Sequence, residues 1–291
     1  MNQLYAATDL PQSSDAADKQ GYLHDDFRLF HLKSTGKQEF KFHYHEFDKI
    51  IIFLSGSVTY QIEGRSYELQ PYDIVLVNHN EIHRPEIDMT VPYERIVVYL
   101  STDFLQSYDL SECFANARST RSHVLRMHNP ASRTLFQTIK RLEHAASEGG
   151  YANALYCKVL FLEFMIQLNR TAQNQKLDYA DTFSADLRIL EIMDYIKEHL
   201  GESLDVDHIA DAFHISRYHL MRLFKQATGC TLARYITSKR LLAARELLNT
   251  DLPLTEICFR CGFQNYSTFS RAYQSEFGEN PRTTRQFSIS P

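Results

Sequence analysis

The chain has 291 residues, of which 44% are hydrophobic and 12% aromatic, and its net charge is −5. This is the composition of a folded globular protein long enough for two domains, and it excludes a disordered or uniformly basic chain. No leader or membrane span is expected, because "MNQLYAATDL" lacks a basic start with a long apolar run, and "KVLFLEFMIQL" is short and interrupted by Glu163.

Residues 1–20 are small and polar and read as a loose arm. From Phe40 to about Leu100 the pattern is β. "SVTYQIEG" alternates Val58, Tyr60 and Ile62 with Thr59, Gln61 and Glu63, the period of a half-buried strand. "SGS" and "EGR" supply turns, while "YDIVLVN" and "YERIVVYLS" read as further strands, so the spacing predicts a sandwich or barrel. After Ser101 the period becomes helical. "SRTLFQTIKRLEHAASEGG" places Leu135, Ile139 and Leu142 at helical spacing and stops at Gly149. "YANALYCKVLFLEFMIQLNR" follows as a helix apolar over much of its circumference, buried in the core or against a partner subunit. "TAQNQKLDYADTFSAD" has no periodicity and reads as the interdomain linker, residues 171–186. Helix follows helix from Leu187 onward, beginning with "LRILEIMDYIKEHLG", for which Gly201 is the expected C-terminal cap.

The end of the chain repeats itself. A shift of 49 residues lays "SRYHLMRLFKQATG" (216–229) over "NYSTFSRAYQSEFG" (265–278), matching Leu220 with Phe269, Arg222 with Arg271, Phe224 with Tyr273 and Gly229 with Gly278. Each copy opens on a helix-capping residue, Ser216 or Asn265, and follows a shorter helix and a tight turn. That is the helix-turn-helix arrangement, here twice. Burial of Leu220, Leu223 and Phe224 leaves Arg217, Tyr218, Met221 and Arg222 outward, with Asn265, Tyr266, Ser267 and Arg271 as their counterparts. Side chains near the start of such a helix reach base edges in a major groove, and an arginine there binds guanine bidentately. Lys225 suits a phosphate contact. "TLARYITSKRLLAARELLNT" reads as one helix holding the two reading helices about 34 Å apart, with Lys239 and Arg240 as solvated surface or phosphate contacts. From residue 217 to the end, eleven Lys/Arg oppose five Asp/Glu, a net of +6 that leaves −11 for the remainder. Such asymmetry points to nucleic acid at the basic end.

"HISRYHLMRLFKQATGCTLARYITSKRLLAARELL" and "LTEICFRCGFQNYSTFSRAYQSEFGENP" resemble the AraC/XylS family of bacterial transcription regulators over roughly the last hundred residues. Cys258 stands where that family usually has alanine, Thr284 where it usually has an aromatic, and His214 at a turn position often held by glycine. Within the second motif, "CFRC" (258–261) reads as core packing rather than half a zinc site, and five cysteines without a framework spacing suit a reducing cytoplasm.

"FHYHEFDKIIIFLSGS" places His43 and His45 on one side of a strand, and His83 follows a neighbouring strand. This resembles the cupin barrel that forms the sensor half of many AraC relatives. Cupin metal sites typically add a glutamate about four residues past the second histidine, a position held here by Lys49. Three readings stand: a three-histidine metal site, histidines satisfied by structural hydrogen bonds, and a pocket in which His43, His45, Lys49 and His83 contact a small ligand. The missing carboxylate weighs toward the pocket, and a lysine among histidines toward an anionic or hydroxyl-rich effector.

The fold expected is α+β in two domains. A cupin-like β-barrel with helices, for ligand sensing and dimerisation, spans 21–170. An all-α DNA-binding domain with two helix-turn-helix motifs spans 187–291. The resemblance implies a cytoplasmic, ligand-responsive regulator and not an enzyme, with no cofactor. Its partners are promoter DNA, a small-molecule effector, a second copy of itself and RNA polymerase. Two rivals are a metal-dependent cupin enzyme with a DNA-binding tail and a constitutive DNA-binding protein whose barrel only dimerises.

Overall fold

A computed structural model describes residues 26–35, 40, 42–45, 47–88, 90–120, 122–126, 131–173, 178–179 and 187–288. The chain divides into two compact units, one up to residue 184 and one from residue 185. The arm expected at 1–20 lies outside the described residues.

The first unit holds β1 (Phe27–Ser34), β2 (Asp48–Ser55), β3 (Val58–Ile62), β4 (Arg65–Glu68), β5 (Ile74–Val77), β6 (His83–Ile87) and β7 (Tyr93–Leu100). Helices α1 (Thr102–Ser107) and α2 (Glu112–Ser119), strand β8 (Val124–Arg126), helices α3 (Ala131–Glu148) and α4 (Asn153–Gln173), and strand β9 (Asp178–Tyr179) complete it. The strands form a six-stranded sheet, β1-β7-β2-β5-β8-β9, and a three-stranded sheet, β4-β3-β6. Strand β2 shows why "DKIIIF" is apolar without alternation. Ile50 and Ile52 pack with Leu76, Val98 and the α4 side chains Phe161 and Phe164. Ile51 and Phe53 pack with Val75, Val97, Tyr60 and Tyr67 toward the three-stranded sheet. A sheet covered on both faces needs apolar residues at both parities. The sheet-rich domain is borne out; closure into one barrel is not seen, since no ladder among the described residues joins the two sheets.

Three local outcomes differ from the sequence reading. The strand pattern begins at Phe27, upstream of Phe40. Helices α1 and α2, of 6 and 8 residues, were not expected, being too short to display a helical period. Within the stretch read as linker, α4 runs on to Gln173 and β9 pairs with β8 as an edge strand. Helix α3 does end where glycine was expected to stop it, with Gly149 at φ 69°.

The second unit is helical: α5 (Leu187–Glu198), α6 (Val206–Ala212), α7 (Arg217–Thr228), α8 (Leu232–Leu247), α9 (Leu254–Arg260), α10 (Tyr266–Phe277) and α11 (Pro281–Ser288). Helix α8 packs against α7, α9 and α10. Phe224 meets the α8 residue Tyr235 edge-on at 5.2 Å, and along α10 Tyr273 meets Phe269 edge-on at 5.7 Å and Phe277 at a tilt at 4.5 Å. Gly201 is not the cap of α5. That helix ends at Glu198, and Gly201 has no positive φ. A Cβ on Gly201 would lie 2.8 Å from the Arg260 carbonyl oxygen, so close approach, not helix termination, requires glycine there.

Candidate functional site

Two residue groups could carry function, one in each unit. In the second unit, α6 is followed by a turn over 213–216 and then α7; α9 is followed by a turn over 261–265 and then α10. His214 takes φ 52°, as its turn position anticipates, and Gly262 takes φ 79° in the other copy. One extra residue follows Gly262, so the turns match at an offset of 48 and the long helices at 49. The Ser216 hydroxyl accepts from the His219 amide at 3.3 Å, and the Asn265 side chain accepts from the Thr268 amide at 2.8 Å. Gly229 at φ 70° and Gly278 at φ 76° close α7 and α10 in left-handed caps.

The matched positions behave alike. Leu220, Phe224, Phe269 and Tyr273 are fully buried, whereas Arg222 and Arg271 are exposed. Arg217, Lys225, Asn265 and Ser267 are exposed too, with Tyr218 at 75% and Met221 at 40%. Two expectations need correction. Tyr266 is half-buried, its ring 5.8 Å from that of Phe269, and Leu223 is half-buried rather than core. Arg217 lies 2.9 Å from Asp207, an exposed pair of little energetic weight that leaves its charge available.

Lys239 and Arg240, read as surface, are structural. Lys239 is buried, with Nζ 5.4 Å from the Tyr235 ring centroid. Arg240 donates through Nε to the Leu200 carbonyl at 2.9 Å and through Nη2 to that of Glu202 at 2.6 Å. Cys258 and Cys261 are buried, as core packing requires, and burial pushes the Cys261 thiol up to about 11.

In the first unit His43, His45 and His83 converge, each offering a nitrogen so that all three lie within 4.8 Å of one another. Residues 42–45 are not a regular strand. His43 forms an isolated antiparallel bridge with His83, donating to its carbonyl at 3.1 Å and accepting at 2.9 Å. His83 opens β6, paired with Ile62. Lys49, two residues before Ile51, shares the face of β2 that looks toward the three-stranded sheet. It is buried opposite Tyr99, with Nζ 5.7 Å from that ring centroid. The four residues named from sequence are thus brought together. Aromatic rings wall the group: Phe47 stacks on His45 at 4.6 Å, Tyr99 lies 5.9 Å from His45, and Tyr60 lies 6.1 Å from His83.

Glu81, which sequence reasoning passed over, sets the orientation of His83. Its carboxylate accepts from the Asn78 amide at 2.9 Å, and its carbonyl accepts from His83 Nδ1 at 2.9 Å. A carbonyl cannot donate, so Nδ1 carries the hydrogen and Nε2 keeps its lone pair. Burial first, then the neighbouring His43 and Lys49 charges, hold His83 well below the usual imidazole range; burial, Lys49 and His43 do the same for His45. Neither ring nitrogen of His45, nor Nε2 of His83, has a hydrogen-bond partner among the described residues. Such orphaned buried groups cost about 1–3 kcal/mol each. The arrangement offers neutral imidazole lone pairs, beside one ammonium, to an electron-poor or hydrogen-donating guest.

Comparison with known proteins places both units. A family model described as an AraC-like ligand-binding domain matches residues 31–165, and one described as a helix-turn-helix domain matches residues 209–286. The chain is 29% identical over 249 residues to the HTH-type transcriptional activator RhaS of Enterobacter sp. (strain 638), covering 84% of this chain and 87% of the relative. It is 27% identical over 248 residues to RhaS of Citrobacter koseri, covering 84% and 87%. Among solved structures, an AraC-type DNA-binding domain-containing regulator of Chromobacterium violaceum is 33% identical, covering 36% of this chain and 95% of that one, at a TM-score of 0.34.

Proposed function

We propose the following mechanism for a chain that belongs to the AraC family of transcriptional regulators, with a ligand-binding part and a helix-turn-helix DNA-binding part. Residues 187–291 form the DNA-binding domain, joined by the 171–186 segment to a sensing domain over 21–170. Helices α6–α7 and α9–α10 are two helix-turn-helix motifs, whose second helices enter successive major grooves on one side of promoter DNA. Arg217, Tyr218, Met221 and Arg222 read one half of the site; Asn265, Ser267 and Arg271 read the other. Asn265 caps its helix through its oxygen and keeps its amide hydrogens for a base or phosphate. Lys225 holds phosphate.

The carrying observation is the matched pair of faces: Arg222 and Arg271 exposed over equally buried Leu220/Phe224 and Phe269/Tyr273. The sensing domain is a cupin-like barrel whose two sheets enclose a pocket for an anionic or hydroxyl-rich effector touched by His43, His45, Lys49 and His83. The orphaned histidine nitrogens support that role. The protein acts by binding rather than catalysis, in the cytoplasm. Helices α3 and α4 carry a homodimer contact, supported by Leu155, Val159 and Ile166, exposed at 64%, 51% and 40% along α4. Both named relatives are transcriptional activators, which supports recruitment of RNA polymerase and a rise in transcription. Effector binding shifts the arrangement of domains or subunits because it favours one of them.

Selection of bound DNA from a genomic library, followed by mobility shifts at several salt concentrations, tests this. Arg222→Ala and Arg271→Ala each weaken specific binding by about 10- to 100-fold, at different halves of the site. Lys225→Ala weakens binding to every sequence and flattens the salt dependence. Undiminished binding by the Arg222/Arg271 double variant refutes the assignment.

A further inference from the structure

We propose that α7 recognises its half of the DNA site through the C5-methyl groups of thymine, covered by Tyr218 and Met221, and that α10 does not read this group. The inference rests on the DNA-reading role given to α7 above and adds the chemistry of the bases read. Residues three and four apart share a helix face, so Tyr218 neighbours Met221 and Arg222, and both of these neighbour Lys225. All four are exposed, whereas Leu220 and Phe224 of the same helix are buried. Among the described residues Tyr218 has no hydrogen-bond or ring partner. Two large apolar surfaces thus stand side by side in water.

Charge decides what covers them. Arg217, Arg222 and Lys225 flank the pair, and α7 contains no Asp or Glu. A cation-rimmed apolar pair suits a polyanion that carries small apolar groups within reach. In the major groove, where the second helix of such a motif lies, that group is the thymine methyl; the other bases offer hydrogen-bond donors and acceptors. Arg222, beside the pair, takes the O6 and N7 of guanine, so α7 reads guanine and thymine together. The second motif is built differently at the matching places. Ser267, Ser270 and Gln274 stand where the first has Tyr218, Met221 and Lys225, and of these four positions the arginine alone is kept, as Arg271. Hydroxyl and amide groups pair with donors or acceptors on any base and gain nothing from a methyl. The two halves of the site therefore differ in kind: one is read by apolar contact and charge, the other by polar contact.

The test uses the full chain and a duplex selected from a random-sequence pool, its two halves assigned by the losses in Arg222→Ala and Arg271→Ala. Uracil in place of thymine removes the methyl and keeps the base pair. In the half read by α7, each contacted thymine so exchanged weakens binding about three- to tenfold, the worth of burying one methyl group. The same exchange in the half read by α10 changes affinity by less than about twofold. Tyr218→Ser combined with Met221→Ser, checked for folding by circular dichroism, binds thymine and uracil duplexes alike while keeping its preference for guanine. Equal binding of the two duplexes by wild-type protein overturns the proposal and assigns the apolar pair to a protein contact. Equal losses in both halves, a selected α7 half with no fixed thymine, or a double variant that still discriminates overturn it too. Should that variant not fold, the wild-type comparison decides alone. Sequence-specific binding without methyl dependence sinks this inference and leaves the regulator reading standing, whereas binding that ignores sequence altogether removes both.

Discussion

Replacing Gly262 by alanine tests how the DNA-binding unit is assembled. Gly262 lies in the turn between α9 and α10 at φ 79°, where an L-residue loses about 1–2 kcal/mol. His214 carries φ 52° in the other turn, so left-handed backbone alone does not exclude a side chain. What excludes one is packing. A Cβ on Gly262 would fall 2.3 Å from the Leu200 carbonyl oxygen and 2.8 Å from the Arg240 guanidinium, which is itself bonded to that oxygen. Relieving that overlap separates two main-chain segments at an overpacking cost of about 1–3 kcal/mol. The expected loss is therefore about 2–5 kcal/mol, lowering the midpoint of this unit's thermal transition by on the order of 10–20 °C. Gly149→Ala is the control: φ is 69° but nothing lies within 4 Å of the new methyl, so only the backbone cost of about 1–2 kcal/mol appears. Denaturant and thermal unfolding followed by circular dichroism measure both. A loss below about 1 kcal/mol for Gly262→Ala, or equal losses for the two variants, refutes the close-packing account.

Arg240→Met keeps the aliphatic stem but removes both bonds to the 200–202 carbonyls; the unit loses about 1–3 kcal/mol in urea denaturation, and an unchanged midpoint returns Arg240 to the solvated surface. Arg126→Met leaves the Asp73 carboxylate, buried and bonded to Arg126 at 3.0 Å, without its cation; the sensing domain loses about 3–5 kcal/mol, largely recovered when Asp73→Asn is added, and a silent single variant rejects the ion pair as structural. Leu155→Asp with Val159→Asp, both exposed on α4, converts dimer to monomer in sedimentation equilibrium without loss of helicity; a dimer that persists removes α4 from the interface.

The face proposed to bind DNA was legible because its logic is local. Arg222, Lys225 and Arg271 follow from helical period, capping residues and a 49-residue repeat, all written within a few turns of chain. Tyr266 was misplaced because its ring rests on Phe269, a contact set by the angle at which α10 leaves its turn. Arg240 was misread for a related reason. Charge predicts exposure until a neighbouring loop, here residues 200–202, brings carbonyls over the helix.

By itself the sequence determined the two-part organisation, the sheet-rich first part and the repeated helices of the second. It did so because hydrophobic period and turn chemistry act over neighbouring residues. Only the tertiary structure decided that His43 meets His83 across a single bridge, that Glu81 orients His83, and that Lys49 is buried against Tyr99. It also decided that Gly201 is demanded by the close approach of the Arg260 carbonyl and Gly262 by that of the Leu200 carbonyl, each far away in sequence. Those outcomes depend on which strands and loops become neighbours, and that choice is made by burial summed over the whole core rather than by any local pattern.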